Sequence, residues 1–489
     1  MPLFALLFLF CALLRPVPKS CSGPISYGVA VGWQYLAYVC VTFGCLRHTY
    51  FSLLVMRAKQ LADFLFTTSL TLSYFPYSEA VGSMDYFYFN GLYVGSYDYV
   101  RSLILDAKRE RSLSLGSVAL SLPRSFSPLT PVFFSTGSPY HSAWRTVFFR
   151  EFTRRADVQA MLADDAAGLA AVAAPYIREW LAVGDFHTRE HVSACIFRLL
   201  ARILFGIETV PQSLLAAAQA FGSSMGAFTA VAPAWAHSLL CGKLQASYGE
   251  PARYGLSSYL LEHCNAAKPA ALKGRPFDWA AMAAECLRSG ALADDEGHRP
   301  GSGGHADAPL DPAHVRSYVQ SVVDGLLFAG LIGTSTLVDT SALPRLRGVY
   351  KPEGGRPETL LSAAEHLALY RQRPRPWLLE AVRLQPPVMS SSKVTPAGGT
   401  RCPFRGAERI LPEGTFVVAN LYHASTDPAA WGNDAHDFKP GRPADKYLNW
   451  NGPFGGDAPR QCPGEHLSLE MGKALVDAWV EAKAPPLEA

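Results

Sequence analysis

Near its C-terminal end the chain reads Phe454-Gly455-Gly456-Asp457-Ala458-Pro459-Arg460-Gln461-Cys462-Pro463-Gly464-Glu465, and an apolar run with helical spacing follows from Leu467 to Val480. The glycines and prolines predict a loop that leads directly into a helix. Cys462 would then lie near the positive, N-terminal end of that helix, where oriented N–H groups favour the thiolate. Such a sulfur is a candidate metal ligand. The alternative is a buried structural cysteine in a turn.

The other residues of this loop favour haem iron as the metal. Cysteine thiolate is an axial ligand of haem iron, glycines let the backbone approach a flat macrocycle, and Arg460 is placed to pair with a haem propionate. The loop resembles the cysteine loop of the cytochrome P450 superfamily, which Arg460, Cys462 and Gly464 match in register. Phe454 stands one residue and Gly456 two residues further upstream of Cys462 than in the family pattern, so the stretch from Phe454 to Cys462 contains one extra residue. The resemblance implies heme b with Cys462 as the iron ligand, and it includes Phe454 and Gly464 in the cofactor-binding loop.

Two upstream motifs strengthen the resemblance. In Glu380-Ala381-Val382-Arg383 an acid and a base share one face of a helix that Pro386-Pro387 then ends. Such pairs usually lie on a solvated face. Phe438-Lys439-Pro440-Gly441-Arg442, however, resembles the family segment that supplies a second arginine to the same glutamate. The resemblance implies a buried structural cluster in which Glu380 is held between two arginines.

Three further residues are candidates for binding the haem propionates. His141 and Arg145 stand at i and i+4 in a helix that begins at Pro139, and in the resemblance they are the propionate-binding pair. Without the resemblance, a capping or solvated role is equally compatible with their positions. Lys393 stands where many family members carry a propionate-binding arginine.

Ala313 to Val338 is the longest uninterrupted helical pattern in the second half of the chain. It resembles the family's long central helix, with Ala329-Gly330 at the point where that helix locally opens. An acid and a threonine normally follow and relay protons during oxygen activation, but this chain has Ile332-Gly333, with Thr334 next. A helix turns by about 100° per residue, so Thr334 does not simply take the vacant position. Gly330 and Thr334 are the catalytic candidates.

Composition limits the classes of partner. Of the 489 residues 49% are hydrophobic and 17% are charged, which is enough apolar surface for a large core, and the net charge is only +3 without a basic run. This argues against nucleic acid as a partner. The ten cysteines form no Cys-x-x-Cys pair, and no Asn-x-Ser/Thr acceptor occurs. Both observations suit a catalytic domain that faces a reducing compartment.

Two apolar runs, Leu3 to Leu14 and Val29 to Leu46, make residues 1–60 a candidate membrane anchor. The first run also suits the core of a signal peptide, and the second also suits a buried helix. Pro16 and Pro18 resemble the proline-rich hinge after the anchor of microsomal family members. The resemblance implies the endoplasmic reticulum or another intracellular membrane, with the catalytic domain facing the cytosol.

The catalytic domain is expected to span residues 86–489 and to be mainly α with small β regions, in a cytochrome P450-like fold. It would begin with a β-hairpin over Tyr86 to Ser96, in which aromatic and β-branched runs flank Asn90-Gly91. Helical spacing resumes from Asp98 to Asp106.

The resemblance implies monooxygenation of a hydrophobic small molecule, using O2 and electrons from a reductase. The missing acid and alcohol leave an alternative, which is rearrangement of a fatty-acid hydroperoxide, similar to allene oxide synthase or hydroperoxide lyase, or peroxygenase chemistry without a reductase. A haem-binding non-enzyme and a hydrolase are the remaining alternatives. His187 to His191 matches a zinc signature without an evident third ligand, and Gly222 to Gly226 matches a serine-hydrolase elbow without the preceding strand that it requires.

Overall fold

The computed structural model describes residues 85–88, 91–105, 168–185, 188–216, 218, 259–264, 278–291, 310–350, 360–388, 390–394, 398–404, 407–411, 416–456, 458 and 461–483. The two N-terminal apolar runs and the Gly222 to Gly226 motif lie outside these residues, as do His141, Arg145 and Arg460. Among the helices of the described ranges, none combines the length and the apolar character needed to span a bilayer.

Helices dominate the described residues, as the sequence predicts. Outside the long central helix, their bounds are α1 (Tyr97–Leu105), α2 (Gly168–Val183), α3 (Thr188–Phe205), α4 (Trp279–Ala291), α8 (Ala363–Gln372), α9 (Pro374–Leu384), α10 (Leu421–Ala424), α11 (Pro428–Trp431) and α12 (Glu465–Lys483).

The central helix spans residues 312–346 and changes its winding twice. It consists of α5 (Pro312–Leu327), a first π-helix (Phe328–Ile332), α6 (Gly333–Thr336), a second π-helix (Leu337–Ala342) and α7 (Leu343–Leu346). The backbone stays right-handed at the junctions, so this is one helix with two wider turns. The first π-helix contains Ala329-Gly330, which confirms the predicted local opening. The second π-helix was not predicted, and the helix extends further than the predicted Val338.

A four-stranded sheet joins the two ends of the described chain in the order β1 (Asp85–Tyr88), β2 (Gly91–Val94), β6 (Phe416–Asn420), β3 (Ser390–Val394). β1 and β2 form the predicted antiparallel hairpin, β2 runs parallel to β6, and β3 runs antiparallel to β6. β4 (Thr400–Phe404) and β5 (Ala407–Leu411) form a separate hairpin.

The predicted turn of the first hairpin was wrong by one residue. Gly91 pairs with Tyr88 as a strand residue, so residues 89 and 90 connect the strands rather than Asn90-Gly91. Gly91 also stands opposite Phe416 of β6. The pairing of β2 with β6, a third strand far away in sequence, therefore goes together with a β1–β2 register that the Asn90-Gly91 turn signal did not predict.

One carboxylate ties the N-terminal hairpin region to the C-terminal part of the chain. Asp427 Oδ2 accepts a hydrogen bond from the backbone N–H of Tyr97 at 2.8 Å, and its Oδ1 accepts one from Ala429 N–H at 3.0 Å. The anionic side chain thus satisfies donors at the N-termini of both α1 and α11, where a negative charge is favourable.

The last helix, α12, crosses the central helix at close range. A β-carbon placed on Gly472 would lie 2.9 Å from Leu337 Cδ2, so a residue without a side chain is needed at this crossing. Leu475 and Val476 of α12 are fully buried nearby in the same core. This packing fixes the start of α12, and therefore the loop that precedes it.

Candidate functional site

A fully buried ion pair lies on α9. Pro374 opens this helix at a position that suits proline, and the helix ends just before Pro386-Pro387. Glu380 and Arg383 have no exposed side-chain surface. The Arg383 Nη2 atom donates to Glu380 Oε1 at 2.7 Å, and Arg383 Nε donates to Glu380 Oε2 at 2.9 Å. The two parallel hydrogen bonds form a bidentate pair.

Three further donors complete the environment of the Glu380 carboxylate. Arg442 Nε lies 3.2 Å from Oε1, the backbone N–H of Lys439 donates to Oε1 at 2.9 Å, and the Tyr447 hydroxyl donates to Oε2 at 3.1 Å. The predicted glutamate between two arginines is therefore confirmed. Burial, followed by the nearby Glu380 charge, raises the pKa of Tyr447, so its hydroxyl stays a donor. No sequence pattern indicated a role for Tyr447.

Arg383 also binds the segment that leads towards the cysteine loop. Its Nη1 atom donates to the carbonyl oxygens of Ser425 at 2.7 Å and Ala435 at 2.6 Å, and Nη2 donates to the carbonyl of Asp437 at 3.1 Å. Its guanidinium lies 4.8 Å from the centre of the Trp431 ring. The cluster thus joins α9 to residues 425–442 and has a structural rather than a chemical character.

The cysteine loop leads directly into α12, as predicted. The Cys462 N–H donates to the Trp450 carbonyl at 2.7 Å, and the Ser468 N–H donates to the Gly464 carbonyl at 2.7 Å in the first turn of the helix. Cys462 is half-buried. A β-carbon placed on Gly464 would lie 3.9 Å from the Cys462 Sγ atom, and no other heavy atom of the described residues would lie within 4 Å of it. The sulfur is therefore partly accessible beside the positive end of α12.

The upstream half of the loop turns sharply at Pro453. The Gly456 N–H donates to the Pro453 carbonyl at 2.8 Å, and Gly455 has a φ of 77°, a conformation that glycine adopts readily. Phe454 lies at this turn, with its ring centre 5.1 Å from that of Trp450 and 4.8 Å from that of His466. Phe454 therefore packs within the loop and against the start of α12.

One face of the central helix carries small residues near Ala329-Gly330, where the sequence predicts that the helix locally opens. Ala329 is exposed although Leu327 and Leu331 beside it are buried, and a β-carbon placed on Gly333 would meet no described atom within 4 Å. Gly330 lies differently, since a β-carbon there would be 3.4 Å from Leu200 Cδ1 of α3. The open face therefore belongs to Ala329 and Gly333.

The hydroxyl groups that follow are turned into the protein. Thr334 has no exposed surface, and its hydroxyl has no hydrogen-bond partner among the described residues. Ser335 is also buried, and its Oγ atom accepts a hydrogen bond from Ser193 Oγ of α3 at 3.2 Å. A buried hydroxyl without a partner is uncommon in folded proteins, which makes Thr334 a residue of interest.

A buried carboxylate lies further along the same interface. Asp339, in the second π-helix, has 7% of its side chain exposed and lies 3.9 Å from Arg189 Nε of α3. Burial raises the pKa of Asp339 to about 7, and Glu190 adds to this shift while Arg189 opposes it. The sequence analysis missed this residue. The only signal was one acid within a mostly apolar stretch of helix.

Of the two histidines in the zinc alternative, His187 lies outside the described residues and His191 packs within the protein. The His191 ring stacks on Trp180 with ring centres 5.3 Å apart, and its Nδ1 atom lies 3.2 Å from the Tyr176 hydroxyl. Within the described ranges no three histidine, cysteine or acidic side chains are grouped as a metal site would require.

Residues 377–478, which contain the charge cluster and the cysteine loop, match the family model for cytochrome P450. The described fold is similar to the crystal structure of P450BioI in complex with an acyl carrier protein ligated to hexadec-9Z-enoic acid, with a TM-score of 0.55 and 17% sequence identity. This similarity covers 86% of the present chain and 93% of that chain. The chain is therefore similar to cytochrome P450 in sequence over residues 377–478 and in its described fold.

Curated P450 proteins match the chain over short stretches. Cytochrome P450 71A12 of Arabidopsis thaliana is 41% identical over 72 residues, which is 14% of either chain. Echinocystic acid 23-monooxygenase of Saponaria officinalis is 31% identical over 105 residues, covering 20% of this chain and 19% of that protein. Cytochrome P450-DIT2 of Saccharomyces cerevisiae is 35% identical over 115 residues, covering 21% of this chain and 22% of that protein. The chain thus aligns with about a fifth or less of the length of these relatives.

The P450 family implies a haem whose iron is bound by a cysteine thiolate. The described residues fit such a group. A half-buried thiol stands at the N-terminus of α12, and the central helix carries the small residues Ala329, which is exposed, and Gly333, beside which no described atom would meet an added β-carbon. Of the predicted propionate ligands, Lys393 lies in β3 opposite Val417, while its side chain is not described.

The burial of Asp339 predicts that the stability of the protein depends on pH. Its folded-state pKa of about 7 exceeds the ordinary value of 3.8, so the unfolded chain loses this proton first as pH rises. Between about pH 4 and pH 7 the carboxyl therefore lowers the free energy of unfolding, by at most about 4 kcal/mol. We expect Asp339→Asn to be more stable than the wild type at pH 8 and similar to it near pH 4.

Thermal unfolding of both proteins between pH 4 and pH 8 measures this difference. Asp434→Asn is the matched control, because hydrogen bonds from Lys439 and then Arg442 lower the pKa of this exposed carboxyl to about 2. Its neutralisation should not increase stability at pH 8. Parallel stability curves for wild type and Asp339→Asn would contradict the assigned burial.

Proposed function

We propose that this protein is a cytochrome P450, a haem-thiolate monooxygenase that oxidises a hydrophobic small molecule with O2 and electrons from a reductase. One observation carries the proposal. Cys462 is a half-buried thiol at the N-terminus of α12, inside the stretch that matches the family model. The resemblance of this loop to the cysteine loop of the P450 superfamily supports the role of Cys462 as the iron ligand.

The protein contributes a rigid support for the sulfur. The N-terminus of α12 favours the thiolate form, and the Trp450 carbonyl holds the Cys462 N–H at 2.7 Å. The crossing of Gly472 with Leu337 fixes α12 against the central helix. The Glu380 cluster then holds the preceding segment in place. A bound haem with a thiolate ligand supplies electron density that favours cleavage of an O–O bond.

The remaining cofactor contacts are proposals from the family pattern. Arg460, His141, Arg145 and Lys393 would pair with the propionates. Phe454 and Gly464 would shape the loop beside the sulfur, since Phe454 packs on Trp450 and His466.

The open face at Ala329 and Gly333 would leave space for a small apolar molecule above the haem. Leu327 and Leu331 beside it are buried and apolar, which would help to exclude water. We also propose that residues 86–489 form the haem domain. Residues 1–60 would anchor it to the endoplasmic reticulum or another intracellular membrane, facing the cytosol.

Proton supply is the step at which this chain differs most from the family pattern. Thr334 lies next to Gly333, and its buried hydroxyl has no hydrogen-bond partner among the described side chains and backbone groups. We propose that the Thr334 hydroxyl donates a hydrogen bond to bound oxygen during oxygen activation. We also propose that Gly330, which packs on Leu200, sets the local path of the helix.

Thr334→Val tests this role, because it keeps the shape of the side chain and removes the hydroxyl. In a reductase-driven monooxygenase we expect the product formed per NADPH consumed to fall about tenfold or more, with electrons diverted to peroxide. The folded protein should be no less stable, since the removed hydroxyl is unsatisfied in the described structure. Tightly coupled turnover in this variant would refute the role of Thr334.

A second candidate function is favoured by the same region. The open face carries Ala329 and Gly333, neither of which has a side chain that can donate a proton. The Thr334 hydroxyl is buried away from solvent. An enzyme that rearranges a fatty-acid hydroperoxide, or a peroxygenase, needs no proton delivery to dioxygen, because its substrate already contains a reduced O–O bond.

One pair of assays separates the two candidates. The first measures NADPH consumption and product formation with a P450 reductase and O2. The second measures turnover of a linoleic acid hydroperoxide without reductase. The monooxygenase proposal predicts coupled turnover in the first assay only. Rapid turnover in the second assay alone would replace it with the second candidate.

A further inference from the structure

The amide side chain of Gln461 lies buried inside the cysteine loop. Gln461 is 2% exposed. A β-carbon on Gly452 would lie 2.7 Å from its Oε1 atom, and one on Gly456 would lie 3.2 Å from the same atom. These two glycines therefore leave the space that the amide occupies, and this loop is the one that is a residue longer than the family pattern.

The Gln461 amide crosslinks the loop. Its Nε2 atom donates to the Pro453 carbonyl at 2.9 Å and to Glu465 Oε2 at 2.7 Å. Its Oε1 atom accepts a hydrogen bond from the Ala458 N–H at 3.0 Å. Both donors and the acceptor of the amide are thus used inside the loop.

Glu465 extends this network into α12. It is 5% exposed and is the first residue of the helix, where a carboxylate is favourable. Its Oε1 atom accepts a hydrogen bond from the Gly455 N–H at 3.1 Å, while its Oε2 atom accepts the bond from Gln461. The carboxylate therefore joins the Pro453 turn to the first turn of α12.

Cys462 stands between these two residues, one position after Gln461 and three before Glu465. The Trp450 carbonyl holds the Cys462 N–H, and the hydrogen-bonded side chains of Gln461 and Glu465 flank the cysteine along the chain. A metal ligand acts well only when its supporting groups hold it within a fraction of an ångström. Gln461 and Glu465 are therefore placed to hold the Cys462 backbone in position as well as to fill the loop.

We propose that Gln461 and Glu465 are positioning residues for Cys462: their hydrogen-bonded pair accommodates the extra residue of the loop and holds the sulfur where it can bind haem iron. This inference rests on the proposed role of Cys462. It differs from packing alone, because it requires the donor and the acceptor to face each other.

The reduced, carbon monoxide-treated holoprotein provides the test, because its absorbance distinguishes thiolate-bound haem from other haem without measuring activity. Gln461→Glu removes the donor and places two carboxylates side by side. We expect the ratio of thiolate-bound to other haem to fall about tenfold or more. Exchanging both residues, as Gln461→Glu with Glu465→Gln, restores a donor and an acceptor and should recover most of that ratio.

Glu470→Gln is the matched control, since Glu470 lies on the same helix, is 11% exposed and pairs with Arg375 of α9 outside the cysteine loop. It should keep the wild-type ratio. If Gln461→Glu does not fold, Glu465→Gln alone carries the test and should lower the ratio several-fold. A wild-type ratio in Gln461→Glu would overturn the positioning role. If that variant does not fold, a wild-type ratio in Glu465→Gln would do the same. The role would also be overturned if the exchanged protein did not recover the ratio.

Failure of the underlying assignment has a different signature. If Cys462→Ser kept the thiolate spectrum, or if the wild type lacked it, the proposed function itself would fail. If Cys462→Ser lost that spectrum while Gln461→Glu kept it, only the positioning role would fail.

Discussion

Glu380→Ala should yield little folded, haem-loaded protein. The Glu380 carboxylate accepts hydrogen bonds from Arg383, Arg442, Tyr447 and the Lys439 backbone, and neither Glu380 nor Arg383 has exposed side-chain surface. Truncation leaves the Arg383 guanidinium buried without its counter-charge, at a cost of about 3–5 kcal/mol. Since folded domains are stable by only about 5–15 kcal/mol, such a loss is large.

Urea unfolding followed by circular dichroism measures this effect. Glu481→Ala is the control, because Glu481 is exposed near the end of α12, and surface substitutions usually change stability by less than about 0.5 kcal/mol. Glu380→Gln should fall between the two, since it keeps the shape and removes the charge. Stable Glu380→Ala holoprotein with slower turnover alone would show that the cluster acts in the reaction and not in folding.

Cys462→Ser should abolish the thiolate spectrum of the reduced carbon monoxide complex. A serine hydroxyl stays neutral near pH 7 and cannot supply the electron donation of a thiolate. Because Cys462 is half-buried and fully outside the Glu380 cluster, we expect the chain to fold and the loss to concern the haem.

Cys264→Ser provides the matched control for this variant. Cys264 has a similar intermediate exposure, and burial raises the pKa of its thiol. Its replacement should keep the thiolate spectrum. Loss of that spectrum in Cys264→Ser together with its retention in Cys462→Ser would reverse the assignment of the ligand.

Local sequence patterns predicted the elements that depend on near neighbours. The spacing of Glu380 and Arg383 gave one helix face, Pro386-Pro387 gave its end, and the loop before Leu467 gave the start of α12. The sequence could also indicate that the central helix opens at Ala329-Gly330, through its resemblance to a known family.

Contacts between distant residues were beyond such patterns. Tyr447 reaches Glu380 across 67 residues of sequence, and Arg189 meets Asp339 from another helix. These contacts depend on how helices cross, which periodicity does not encode. The hairpin turn was misplaced for the same reason, since Gly91 pairs with a strand more than 300 residues away.

Within the cysteine loop, the sequence showed the extra residue but not how it is accommodated. Gln461 and Glu465 are separated by four positions and flank Cys462, which was the available signal. Only the structure shows that the amide of Gln461 and the carboxylate of Glu465 meet inside the loop at 2.7 Å. The roles of His141, Arg145, Arg460 and Lys393 remain predictions.

The absorbance spectrum of the purified, reduced wild-type protein after treatment with carbon monoxide tests the central claim most directly. A haem bound through the Cys462 thiolate predicts the red-shifted Soret band that is characteristic of thiolate ligation and that gives the superfamily its name. A protein that binds no haem, or one whose carbon monoxide complex shows only the unshifted band of haem without a thiolate ligand, would contradict the account.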